Sequence, residues 1–229
     1  MFGKKAKKEK YVYGQNSYFR DIWYFIWEDN SMWSWLLNII LAFVLIKYLV
    51  FPILSILLGT SFPIVAVISG SMDHSLSGSN ICGYAPLDYK SNFDGYWKVC
   101  GSFYEERGIT KDEFSEFNLR NGFKKGDIII LHSAANLKVG DVLVFWAQNP
   151  SLKRDPIIHR VIKVQDGPDG KIYTTKGDHN PASIEDTTIN EITIGENRVI
   201  GQALFKIPFL GYIKIFAVSI FNVVFGMFY

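Results

Sequence analysis

The apolar run Trp33–Leu58 constrains this chain more than any other feature, because it is long enough to cross a bilayer, which takes about 20 residues. Lys47 and Pro52 interrupt it. A lone lysine inside a span costs roughly 3 kcal/mol on insertion scales, less where it snorkels or meets a partner helix. A buried core helix is the alternative, but the length and the density of leucine and isoleucine favour a span. A cleavable secretory leader fits poorly, since the run starts too far from Met1 and is too long.

Five lysines (Lys4, Lys5, Lys7, Lys8 and Lys10) crowd the N-terminus against Glu9 alone. The positive-inside rule puts that tail in the cytoplasm and everything after about residue 59 outside. Between tail and span, Ser17–Trp35 mixes Phe19, Trp23, Tyr24, Trp27, Trp33 and Trp35 with Arg20, Asp21, Glu28 and Asp29, a composition suited to an interfacial helix. A second apolar run, Ile207–Tyr229, is expected to be another membrane helix. The expected organisation is therefore a basic tail and interfacial segment at 1–32, a transmembrane helix at 33–58, an extracytoplasmic domain at 59–206 with an inserted cap-like subdomain at 73–123, and a terminal membrane helix at 207–229.

The soluble part reads as mainly β. Pro63–Ser69, Asp127–Leu131, Asp141–Trp146, Ile157–Val164, Ile172–Thr175 and Arg198–Leu204 are short and rich in β-branched residues, with Gly, Asp, Asn and Pro between them. The turn signal Asp166–Gly170 predicts a hairpin joining Ile157–Val164 to Lys171–Lys176. Lys111–Asn121 reads as one short helix in an otherwise polar excursion. A net charge of +2 gives no support for nucleic acid as a partner. On the extracytoplasmic side, Cys82 and Cys100 are expected to pair, and closing that loop is worth roughly 3 kcal/mol.

The sharpest chemical feature is Ser69-Gly70-Ser71-Met72, after the span and at the end of an apolar strand. A serine becomes a nucleophile when its turn exposes the hydroxyl and a base can reach it. Candidate bases follow. His159 lies in the apolar strand Ile158-His159-Arg160-Val161, while His74 is only three residues from Ser71 and is expected to be an exposed loop histidine. His132 and His179 read as structural. No Cys/His/Asp spacing matches a standard metal site, so no metal or other cofactor is expected.

Taken in order, Ser-Gly-Ser-Met, the Gly-Asp-apolar segments Gly126–Leu131 and Gly140–Phe145, His159-Arg160-Val161, Thr175-Lys176-Gly177-Asp178-His179-Asn180 and Val199-Ile200-Gly201 resemble the boxes of type I signal peptidases. The histidine at position 159 resembles the ER and archaeal branch; the bacterial branch carries a lysine there. The resemblance covers roughly residues 60–215 without the 73–123 insert. It implies a signal-peptidase-like β catalytic domain with Ser71 as nucleophile and His159 as general base. The Ser69 hydroxyl and the Ser71 backbone N–H would form the oxyanion hole. An acid after Gly177-Asp178 would orient His159, with Asp186 the first choice, Asp178 the second and Glu185 the third. The family usually has a proline where His74 stands.

The implied activity is a membrane-bound serine endopeptidase that removes signal peptides from secretory preproteins, set in the cell membrane with its N-terminus cytoplasmic and its catalytic domain outside. The lipid bilayer and an association with the protein-export channel complete the expected partners. An extended peptide would add to the edge offered by Pro63, Ile64, Val65 and Val67. Two other readings stay open: a self-cleaving Ser-Lys peptidase, and an anchored β-domain that binds exported or partner proteins without catalysis.

Overall fold

The computed structural model describes residues 11–14, 17–78, 80–86, 91–153, 155–213, 216 and 219. The lysine-rich tail and nearly all of the terminal run beyond Ile213 lie outside the described residues. The chain divides into two compact units, residues 1–53 and 54–229.

In the first unit, α1 (Tyr18–Trp27) and α2 (Met32–Leu45) replace the single segment expected over Ser17–Trp35. Ser31 breaks it by capping α2, its hydroxyl accepting the Ser34 N–H at 3.2 Å. The Ser34 hydroxyl donates to the Phe25 carbonyl, and the Asn38 amide donates to the Ile26 carbonyl at 2.8 Å. These two bonds satisfy orphan carbonyls at the end of α1. Tyr18, Phe19, Trp23 and Trp27 are all exposed.

After α2 the helix widens into a π-turn at Ile46–Val50 and resumes as α3 (Phe51–Leu58). Pro52 explains the widening. It has no N–H, and its ring would strike the carbonyl four residues back, so the preceding turn opens. Met32–Leu58 is the one described helix long and apolar enough to cross a membrane.

The second unit is a curled, antiparallel seven-stranded sheet. Its strands are β1 (Ile64–Ala66), β2 (Ile128–His132), β3 (Val142–Phe145), β4 (Ile157–Gly167), β5 (Gly170–Lys176), β6 (Ile194–Gly195) and β7 (Val199–Ile207), in spatial order β1-β2-β7-β3-β4-β5-β6. All four residues of β3 are buried because both faces are covered. Val142 and Val144 join Ile129, Leu131 and Ile158 in one core, while Leu143 and Phe145 join Ile157, Val161 and Tyr173 in another. This is why the strand reads as unbroken apolar sequence rather than as alternation. The expected hairpin forms with Gly167 opposite Gly170.

The insert has its own core. Beyond α5 (Lys111–Glu116), which has a Thr110/Glu113 capping box, it holds a longer helix that the sequence reading missed, α4 (Phe93–Glu105). Tyr96, Trp97, Cys100 and Tyr104 recur on one face of α4 and bury against Leu76, Ile81 and Phe114. A disulfide joins Cys82 to Cys100 and so ties the preceding loop to this helix.

Candidate active site

The serine turn is set by its neighbour. Met72 is 1% exposed and packs with Val67 and Phe123; its sulfur receives the Asp178 N–H at 3.3 Å and its carbonyl the Phe123 N–H at 3.0 Å. With Met72 drawn into the core, the turn closed by Asp73 N–H on the Gly70 carbonyl (2.9 Å) leaves Ser71 on the wall of a cleft. The Ser71 carbonyl accepts the His179 N–H at 2.8 Å, and the Ser69 and Ser71 hydroxyls are 3.2 Å apart. Nothing stands within 4 Å of where a Gly70 side chain would begin, so this side of the serine is open to an incoming chain.

His159 comes from β4, opposite Leu143 of β3, and is buried save for its cleft edge. Its Nδ1 is hydrogen-bonded to Oε1 of Glu191, a fully buried carboxylate. Glu191 Oε1 also accepts the Thr175 hydroxyl at 2.9 Å, and Oε2 accepts the Ile184 N–H at 2.7 Å. Backbone bonds from Glu191 N–H to Ile184 O and from Thr175 N–H to Glu191 O, both 2.9 Å, fix the residue on either side. With Nδ1 engaged by the carboxylate, Nε2 is the ring nitrogen available to accept a proton. That nitrogen lies on the serine side: a Cβ placed on Gly177 would be 2.8 Å from His159 Nε2 and 2.9 Å from the Ser71 carbonyl oxygen.

The acids expected to orient His159 are placed elsewhere. Asp186 is exposed, and its Oδ1 accepts the N–H groups of Thr188 (2.8 Å) and Ile189 (2.5 Å), which stabilises a local turn. Glu185 is also exposed. Asp178 is fully buried but faces the insert. It accepts from Arg160 Nε (2.9 Å) and Nη2 (2.7 Å), from His74 Nε2 (2.9 Å) and from the Tyr104 hydroxyl (3.0 Å). Burial alone would push the Asp178 carboxyl up, but the Arg160 guanidinium and the His74 hydrogen bond hold it far below the usual carboxylate range. Because Arg160 follows His159 on β4, the strand sends the histidine to the cleft and the arginine to the opposite face.

His74 is not the exposed loop histidine expected from its position. It is 8% exposed because helix α4 covers it, its ring stacking on Tyr96 at 3.6 Å. Burial lowers its pKa, only partly opposed by the Asp178 hydrogen bond. Lys176, also fully buried, donates to the carbonyls of Gly177 (3.0 Å) and Asp178 (3.2 Å) and lies 4.8 Å from the Phe103 ring centroid. Burial brings its pKa down to about 8. His179 Nδ1 is 2.7 Å from the Asp73 carbonyl, and His132 sits on β2 opposite Gln202.

The cleft that holds Ser69, Ser71 and His159 has a volume of about 340 Å³. Val65–Ile68, Pro156–Ile158, Ile184 and Ile189 also line it. Of the four residues expected to hold a peptide, Val65 and Val67 line it. Pro63 and Ile64 do not line it; the Pro63 carbonyl accepts the Leu131 N–H at 2.9 Å and Ile64 pairs with Ile130. β1 is an outer strand, paired with β2 alone.

In this β domain a serine and a histidine backed by a buried carboxylate share an apolar, strand-lined cleft. No family model matches the chain. Among curated proteins it is similar to the signal peptidase complex catalytic subunit SEC11 of Candida tropicalis, 28% identical over 103 residues that cover 43% of this chain and 59% of the relative. The corresponding subunits of Neurospora crassa and Sclerotinia sclerotiorum are 32% and 34% identical over 105 residues, covering 43% of this chain and 58% of each relative. The chain thus spans less than two thirds of the length of the curated relatives it matches. Its similarity is to catalytic subunits of the ER-type, signal-peptidase-I-like kind.

Proposed function

We propose that the chain is a membrane-anchored serine endopeptidase that removes signal peptides from secretory preproteins. The observation that carries this reading is the shared cleft of Ser71 and His159, with the His159 Nδ1 held on buried Glu191. Ser71 Oγ attacks the scissile carbonyl carbon and its proton passes to His159 Nε2; the resulting imidazolium returns it to the leaving amine, and water then cleaves the acyl ester. The Ser69 hydroxyl and Ser71 N–H stabilise the tetrahedral oxyanion. The substrate extends between β1 and the start of β4, and the isoleucine-lined walls take small apolar side chains.

Several features support a membrane setting. Met32–Leu58 anchors the domain, and the exposed aromatic residues of α1 suit the headgroup region on the cytoplasmic side. The Cys82–Cys100 bond suits an oxidising compartment on the other side. The relatives are named as subunits of a signal peptidase complex, so other subunits are the partners this reading implies. Lys176, the buried lysine of lowered pKa, is bonded to two backbone carbonyls and does not line the cleft, so it is not placed as the base. Lys153 does line the cleft, but the histidine on buried Glu191 is the base this reading takes.

The test is cleavage of a secretory preprotein by the full chain reconstituted in vesicles, with the product sequenced from its new N-terminus. The expected product begins at the signal–mature junction, and phenylalanine placed just before the scissile bond blocks its formation. No cleavage, or cleavage indifferent to that residue, overturns the reading.

A further inference from the structure

Lys47 sits where a charge is hardest to keep. It lies fourteen residues from Trp33 and eleven from Leu58, near the middle of the apolar stretch, with Trp33 and Trp35 marking the boundary on the N-terminal side. At 1.5 Å per residue it is about 16 Å from the nearer end, against a hydrocarbon half-thickness of about 15 Å. A lysine stem reaches about 6 Å, too short to bring the ammonium to either headgroup layer. Among the described residues it makes no ion pair; its contacts are the Phe43 and Tyr48 rings of its own helix, at 5.9 Å and 5.3 Å.

The backbone adds a second polar group at the same depth. Lys47 lies inside the π-turn, and Pro52 provides no N–H, so a carbonyl at Tyr48 or Lys47 loses its intrahelical donor. A lysine and a freed carbonyl in the same helical turn near mid-bilayer mark a place where another polar group is to be met.

We propose that this face of the helix is the docking surface for a partner transmembrane helix carrying a carboxylate near its own midpoint, with Lys47 as its ion-pair partner. Charge complementarity fixes the occupant. A second copy of the chain cannot supply the acid, because neither Trp33–Leu58 nor Ile207–Tyr229 contains an aspartate or glutamate. The proposal rests on the reading that Met32–Leu58 crosses the membrane.

The test uses the full chain in phosphatidylcholine vesicles with synthetic polyleucine helices of about 20 residues, one with a single central aspartate and one without. Association is read by energy transfer between a labelled helix and the labelled chain. The aspartate helix should bind about tenfold more tightly than the all-leucine helix. Lys47→Met should abolish that difference and Lys47→Arg should keep it. Equal binding of the two helices, or a difference that survives Lys47→Met, overturns the proposal. So does association that follows added phosphatidylglycerol instead of the aspartate, since that assigns Lys47 to anionic lipid. Alkaline extraction of the same vesicles separates the two possible failures. If the chain washes out, the membrane span is itself wrong and the proposal falls with it; if the chain stays and the helices bind equally, only the docking surface is wrong.

Discussion

Glu191→Gln asks how much the carboxylate behind His159 contributes. The glutamine is nearly isosteric, but the site can seat it in two ways. If its carbonyl oxygen keeps the His159 Nδ1–H, its NH2 faces the Ile184 N–H that Oε2 now accepts, and a buried donor is left unmade at a cost of about 1–3 kcal/mol. If the amide flips, the carbonyl takes the Ile184 N–H and the NH2 donates to Nδ1. The Thr175 hydroxyl can rotate to suit either arrangement. The flip moves the histidine proton to Nε2, where it can no longer accept from Ser71. A preference of about 2–3 kcal/mol for the flip leaves roughly one molecule in a hundred in the competent tautomer. Loss of the negative charge behind the imidazolium removes a further ten- to hundredfold. Together kcat should fall about 10³- to 10⁴-fold, with KM within about a factor of two because Glu191 does not line the cleft. Steady-state cleavage of a preprotein by wild type and Glu191→Gln, with thermal unfolding as a control, measures this. A kcat within tenfold of wild type in a folded variant refutes the role given to Glu191.

Three other outcomes follow from the geometry. Gly177→Ala puts a methyl 2.8 Å from His159 Nε2 and 2.9 Å from the Ser71 carbonyl, so the base or the nucleophile turn must move; kcat should drop about a hundredfold or more, checked in the same assay. His74 has a lowered folded pKa, so the unfolded chain binds the extra proton; its contribution is full above the ordinary histidine value of 6.5 and is lost as pH falls below it. Denaturant titrations should therefore show stability declining from about pH 6.5 downward, more shallowly in His74→Gln. Replacing both Cys82 and Cys100 by alanine should cost about 3 kcal/mol, lowering Tm by about 6–12 °C in a calorimetric scan, for a bridge between residues 18 apart.

Six of the seven strands were legible because β-branched runs and turn residues alternate, and burial of both faces of β3 only strengthens that signal; the two-residue β6 is too short to leave such a pattern. Ser71 and His159 were singled out as members of an ordered series, and they line one cleft. α4 was not, although Tyr96, Trp97, Cys100 and Tyr104 keep helical spacing, because Gly95 and Gly101 look like breakers. Gly101 is there for packing, since a Cβ would meet the Trp97 ring at 2.7 Å. Missing that helix is also what made His74 look exposed. Glu191 escaped for a different reason. It reaches His159 only after the chain has looped through 184–190, and no local period marks such a return; an acid set between Ile189 and Ile192 was the available hint. Asp178, by contrast, was read as chemistry and is an internal anchor between Arg160 and the insert.

Ser71→Ala, made in the full chain and assayed on a preprotein in vesicles, bears most directly on the proposed activity. The hydroxyl lies at the open cleft, so its removal should leave the fold and the Cys82–Cys100 bond intact. Cleavage at the signal–mature junction should fall to the level of vesicles without the chain. Junction cleavage at more than about a hundredth of the wild-type rate contradicts a serine nucleophile at this site.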